Sequence, residues 1–478
     1  MNCGDRNSKN MNRFLLVLVF FFFAQIVAGQ VNYTLEYGED SNSAAKVSID
    51  LKSPVSPNTN FVMPRSVPGE YSISPFDAFV ESVSAVTADG EKIVMTKNEF
   101  DAPRWEALKN KKPISRIEYS VNLDKMERKM PPGSSSVVRE GFAGFLNYSI
   151  FGWVEGNEEK AVTCSVKTSA NWSVFSTNRP SASPKKGEFS FKTANYYELA
   201  DGQIFLGTRF QVKAYKGLVP FFVVSFSQLG DEFLDDYGKQ GVKSLEILND
   251  YFGETPFKHY SLMLIRAVPL DAGTAPQLAM EHLASATFFG DTEGMRRAAM
   301  SEEDVNRMIA PFLHHIAHAY IPLRSYGDNY RPRVQEIPPL IKNVWFNEGF
   351  MWFLVYDTLK AERFKNIFNY GAFNTSETIK KLSLTELSQL GSTTYGVDFR
   401  IGRAIYSRGA LMAIEMNEHL LKESGGKKSM KDVIRFLYQW SIENKRPFTI
   451  EELPLLINKA CGIDLRRIYD KWQMPLAK

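Results

Sequence analysis

The sequence predicts an α+β fold in more than one domain: an N-terminal β-sandwich, then a mixed β-sheet that gives way to helices. Three observations predict it. The 478 residues exceed what one hydrophobic core usually organises. A content of 44% hydrophobic and 13% aromatic residues is enough to fill two cores and excludes a disordered chain. The apolar pattern also changes along the chain, from alternation over residues 31–177 to helical spacing beyond about residue 302.

Arg6, Lys9 and Arg13 precede an apolar run over residues 14–24, followed by the small-residue site Val27-Ala28-Gly29. This order reads as a secretory signal over residues 1–29, with Gln30 opening the mature chain. The run is short for a membrane span of about 20 residues, so a secreted or periplasmic protein is expected. Membrane contact through an uncleaved segment is the alternative. Cleavage removes three basic residues and Asp5, taking the formal charge from +3 to +1. Nothing in that balance points to nucleic acid. Cys164 and Cys461 lie too far apart in sequence to suggest a disulfide framework. Asn32, Asn147, Asn171 and Asn374 stand in glycosylation sequons for a eukaryotic secretory route.

In the first domain, placed at residues 30–190, Lys46-Val47-Ser48-Ile49-Asp50-Leu51 and Arg116-Ile117-Glu118-Tyr119-Ser120-Val121 alternate as sandwich strands do. A proline- and serine-rich stretch over residues 180–187 marks the boundary loop. The second domain, residues 191–478, opens with strands that include 260–265. Helices are then predicted over 302–320, 345–361, 403–422 and 429–442, with two more inside 449–472.

Only six histidines occur, and three fall in His314-His315-Ile316-Ala317-His318. On a helix, His314 and His318 share one face and can share a metal. Zinc needs a third protein ligand, which Glu348 in Trp345-Phe346-Asn347-Glu348-Gly349-Phe350 supplies. The competing reading is a partly buried helix whose histidines pack without metal.

These residues resemble the glycyl aminopeptidase family of gluzincin metallopeptidases, whose HExxH and Trp-x-x-Glu-Gly-Phe segments are matched here with the single change of glutamate to His315. The resemblance implies a thermolysin-like second domain and one zinc ion on His314, His318 and Glu348. Ile405-Tyr406-Ser407-Arg408-Gly409 is similar to the family's Tyr-x-Lys-Gly segment, which implies that the Tyr406 hydroxyl donates to the oxyanion formed in peptide attack. Ala279-Met280-Glu281-His282 resembles Gly-Gly-Leu-Glu-His, which implies substrate contact by Glu281, although Leu278 and Ala279 replace the glycines and crowd the peptide path. Met63-Pro64-Arg65-Ser66-Val67-Pro68-Gly69-Glu70-Tyr71 is similar to the family's Pro-x-x-x-Pro-Gly-x-Tyr stretch and reads as a loop-shaping element of the sandwich, without a catalytic role. The family often adds a PDZ module; this sequence ends soon after the helices, so recognition through one is not expected.

In the ordinary mechanism, zinc lowers the pKa of a bound water to about 7, and the glutamate of HExxH moves its proton to the leaving amine. His315 stands in that place. An imidazole pKa of about 6.5 suits a base, but nearby zinc disfavours its protonation, and the ring does not have the reach of a carboxylate. Adjacent helical residues point about 100° apart, so His315 is badly aimed to complete the His314/His318 site. Packing outside the metal sphere is its other role. Loss of a general base costs about 10² to 10⁴ in rate, so the expected protein is a zinc-binding metallopeptidase homologue, impaired in hydrolysis, that holds a peptide or protein in its cleft. An active zinc aminopeptidase and a metal-free scaffold are the alternatives.

Overall fold

The computed structural model describes residues 30–131, 133–226, 231–265, 279–289, 302–333, 335–395 and 398–477. Residues 1–29, read from sequence as a secretory signal, and Leu278 lie outside them. The fold is α+β and multidomain.

The first domain has one long sheet built from β1 (Val31–Glu36), β2 (Ala44–Val55), β3 (Val80–Thr87), β4 (Ile114–Asn122), β6 (Val162–Lys167) and β8 (Glu188–Thr193), in the order β8-β6-β1-β2-β4-β3 with Lys92–Val94 at the far edge. A second sheet contains β5 (Phe142–Leu146), β7 (Ser173–Ser176) and β9 (Gln203–Gly207), with β9 between the other two. In β1, Val31, Tyr33 and Leu35 are buried and the residues between them are less so, as a strand with one covered face requires. In β5 and β9 every residue is buried, so this sheet is covered on both faces.

The second cover is the sheet of the second domain, made of β10 (Gln211–Tyr215), β11 (Phe221–Phe226), β12 (Tyr260–Ile265), β13 (Ala279–Glu281) and β14 (Ser285–Phe289), ordered β10-β11-β12-β14-β13. The β11/β12 and β12/β14 pairs are parallel, while β13 runs antiparallel at the edge. Strand parity divides its side chains. Phe222, Val224, Met263 and Ile265 join the core of the first domain; Phe221, Val223, Leu262 and Leu264 join that of the helices. Phe142 of β5 stacks on Phe226 with ring centroids 3.9 Å apart.

A division at residue 190 cuts through β8 and leaves out β9, so the first two sheets extend to Gly207. The reason is that the two domains share apolar surface, and no polar linker marks the crossing. A helix the sequence reading passed over, α1 (Asp231–Phe252), carries Gly238 and Gly241, which lower helix propensity and mask its apolar spacing.

Helices α1 and α2 (Glu302–Ala317) pack on this sheet, and the remaining helices pack on them and on one another: α3 (Phe350–Leu359), α4 (Glu362–Phe373), α5 (Leu384–Thr394), α6 (Phe399–Glu423), α7 (Met430–Asn444), α8 (Leu453–Cys461) and α9 (Arg466–Gln473). Helix α2 ends three residues before the predicted 320, and the 345–361 helix opens with a π turn over Trp345–Gly349. No helix among the described residues is long and apolar enough to cross a membrane. Cys164 and Cys461 are buried free thiols. Of the four sequons, Asn147 is fully buried and donates from Nδ2 to the Leu199 carbonyl at 2.8 Å. It is therefore corrected from acceptor to structural residue; Asn32, Asn171 and Asn374 are exposed.

Candidate metal centre

Helix α2 delivers His314, and the i→i−4 bond from the His318 amide to the His314 carbonyl (3.3 Å) carries its geometry one residue past its end. The two imidazoles meet with Nε2 atoms 3.1 Å apart. Nδ1 of His318 faces the Ile321 carbonyl at 2.9 Å. In the neutral imidazole, donation there puts the Nε2 lone pair toward the centre, the arrangement by which an outer partner fixes a ligand tautomer.

Glu348 comes from the π turn, a wider turn that often marks a functional site. Its Oε2 lies 3.2 Å from His314 Nε2 and 3.3 Å from His318 Nε2. Three donors held at about 2.05 Å on a tetrahedral zinc stand about 3.3 Å from one another. The sides of 3.1, 3.2 and 3.3 Å therefore form a triangle of the size zinc requires. All three side chains are buried.

The electrostatics match. Burial, helped by His318, pulls His314 down to about 3. Burial opposes charge on His318 as well, but the Glu348 and Glu281 carboxylates outweigh it and raise this imidazole to about 9. Burial alone would raise Glu348, yet His318 and His314 hold it well below the usual carboxylate range. The cluster thus keeps an anionic oxygen facing two imidazole nitrogens, with a proton on His318 whose place a cation would take. That donor set suits a divalent transition metal.

The second oxygen of Glu348 accepts a hydrogen bond from the Tyr71 hydroxyl at 2.9 Å. Tyr71 belongs to the stretch read from sequence as a loop-shaping element, and the structure brings it to the metal donors. It adopts φ +52° two residues after Gly69 at φ +89°, a left-handed conformation uncommon for a bulky side chain. The loop is tied down by Arg65 and Ser66 amides donating to the Gln335 carbonyl at 2.6 and 2.9 Å. Trp352 of α3 stacks on His314, with centroids 4.4 Å apart.

Tyr406 lies where α6 crosses the π turn. A Cβ on Gly409 would fall 2.3 Å from the Trp345 carbonyl oxygen, so glycine permits the crossing. The Tyr406 ring sits 6.3 Å from that of His314. Burial and the nearby Glu348 raise its phenol well above the ordinary value, which keeps the hydroxyl protonated as a donor. Arg408 turns away and donates to the carbonyls of Leu382, Trp472 and Met474 at 2.9, 2.9 and 2.7 Å.

His315 and Glu281 meet each other. Nδ1 of His315 is 3.3 Å from Glu281 Oε2 at the end of edge strand β13, and their side chains are 18% and 5% exposed. Phe288 packs edge-on against the His315 ring. His282 lies apart from this group, in a buried network with Asp201 at 3.3 Å and Gln203 at 2.9 Å.

Residues 32–208 match the family model described as Peptidase M61 N-terminal domain. No curated protein matched the chain. Among solved structures, the chain resembles an aminopeptidase N family protein from Idiomarina loihiensis at 17% identity and TM-score 0.79, covering 94% of this chain and 76% of that one. It also resembles an M1 zinc metallopeptidase from Deinococcus radiodurans at 14% identity and TM-score 0.54, over 94% of each chain. At such identities the likeness is one of fold. The chain thus carries a Peptidase M61 N-terminal domain over residues 32–208 and shares its fold, over 94% of its length, with an aminopeptidase N family protein.

Proposed function

We propose that the protein is an exported zinc-metallopeptidase homologue that keeps the metal centre, is impaired in peptide hydrolysis, and holds a peptide or protein end in its cleft. The donor triangle of His314, His318 and Glu348 beside a His315 turned toward Glu281 carries the reading. Zinc bound there supplies Lewis-acid polarisation and acidifies water. The chain's own residues do the rest: Tyr71 and the Ile321 carbonyl aim the ligands, and Tyr406 offers a protonated hydroxyl. What is missing is a carboxylate at position 315 to take and return a proton. His315 faces Glu281 through Nδ1, and losing such a base costs about 10² to 10⁴ in rate. Export rests on the signal-like residues 1–29.

Zinc per mature chain, measured by elemental analysis with His314→Ala as control, tests the metal; a broad panel of short peptides tests turnover. About one zinc or more in the parent, lost from this position in the control, with no turnover, is expected. Turnover that disappears in His314→Ala would identify an active aminopeptidase instead, and no zinc after supply would favour the scaffold. Activity gained by His315→Glu would show that the parent had no effective base.

A further inference from the structure

We propose that His315 and Glu281 form a second metal position beside the His314–His318–Glu348 triangle, so that this centre takes two divalent cations. The inference rests on the metal reading above and adds a site to it.

His315 Nδ1 and Glu281 Oε2 are 3.3 Å apart. That is the separation two donors adopt on one tetrahedral zinc, about 3.3 Å, and it equals the long side of the triangle. The pair is anchored by a buried Glu281, while His315 is partly exposed. Its other side is also fixed. Gly69, in the loop that carries Tyr71, packs so closely that a Cβ there would fall 2.2 Å from Glu281 Oε1.

The two positions are neighbours. Donor atoms of His314, His315 and His318 lie within 4.8 Å of one another, and so do those of Glu281, His318 and Glu348. Both groups contain His318, so donor atoms of all five side chains gather around it. Paired ions in two-metal centres sit about 3.5–4 Å apart, a spacing of the same order as the 4.8 Å within which these donor atoms lie. The histidine at 315 is what creates the pair: a carboxylate there would face Glu281 with like charge, whereas an imidazole offers a neutral nitrogen suited to zinc or cobalt. Glu281 and Glu348 bring two negative charges, half of what two divalent ions carry, so the second ion is held with less compensation than the first. The second ion, with two protein donors against three, is therefore the weaker and leaves first on dialysis.

The test is a cobalt(II) titration of the metal-stripped full chain, with bound metal counted after equilibrium dialysis and the paired ions sought by electron paramagnetic resonance. Two equivalents of unequal affinity are expected, with loss of signal per cobalt once both positions fill and the ions couple. His315→Ala and the isosteric Glu281→Gln should each lose the weaker equivalent and keep the tighter one, which His314→Ala removes. Saturation of the parent at one equivalent, or a second equivalent unchanged in both variants, overturns the second position while leaving the first intact. Failure to bind any cobalt would instead remove the metal reading on which both rest.

Discussion

Tyr71 and Glu348 are separated by 277 residues of sequence and joined by one hydrogen bond. Removing the hydroxyl in Tyr71→Phe leaves the ring packing and strips Glu348, a proposed metal ligand, of its outer partner. Such losses cost about 10- to 100-fold in metal affinity, so the variant should fold like the parent and surrender zinc at a correspondingly lower chelator concentration. The three side chains of the donor triangle were legible in the sequence because neighbours on a helix are spaced three or four residues apart, and Glu348 opens another helix with a telling motif. Tyr71 was not, because nothing local reports a contact made only when two domains pack. The same holds for the His315–Glu281 pair, formed between α2 and an edge strand. Asp77 offers a pH test away from the metal. Its buried carboxylate pairs with Arg65 and Lys97 at 2.7 and 2.6 Å. Burial would raise its pKa, but the two cations prevail and lower it. A depressed carboxylate stabilises the fold above its unfolded pKa of about 3.9 and loses that effect as pH falls through the folded value. Asp77→Asn should therefore cost about 1.5–3 kcal/mol at neutral pH, with a gap in melting temperature that closes below about pH 4.

At the scale of elements, the π turn and α6 depend on each other. Gly349 and Gly409 face one another at the crossing, where a Cβ on Gly349 would lie 2.5 Å from the Gly409 Cα. Gly409→Ala forces the two segments apart, and overpacking of this kind costs about 1–3 kcal/mol. The displaced turn carries Glu348, so zinc content should fall together with melting temperature. A variant that melted early yet kept its zinc would show that the turn holds its ligand without α6. Most helices of the second domain were readable because each lays an apolar stripe on the shared core. The long α1 escaped because its glycines resemble loop punctuation, and the π turn because a five-residue widening leaves no periodic trace.

For the whole molecule, the shared layer of β5, β7 and β9 makes the two domains one packing unit. Phe222, Val224, Met263, Ile265, Met280 and Phe289 of the second domain complete the core of the first. Residues 30–208 expressed alone should expose that apolar face, bind a hydrophobic dye and aggregate, while the full chain does neither. Sequence alone separated strands from helices but put the division at 190, since alternation cannot tell which sheet a strand joins.

The path of the first strand has a bearing on the order in which the chain is completed. Strand β1 lies inside the long sheet, antiparallel to β2 on one side and parallel to β6 on the other, and the Glu36–Lys167 ion pair spans 131 residues. The beginning of the protein is thus locked by its middle, and β1 keeps one edge unpaired until synthesis has passed Lys167. A chain threaded through a translocon from its first residue would arrive on the far side unable to close its leading sheet, held in the open form that threading demands.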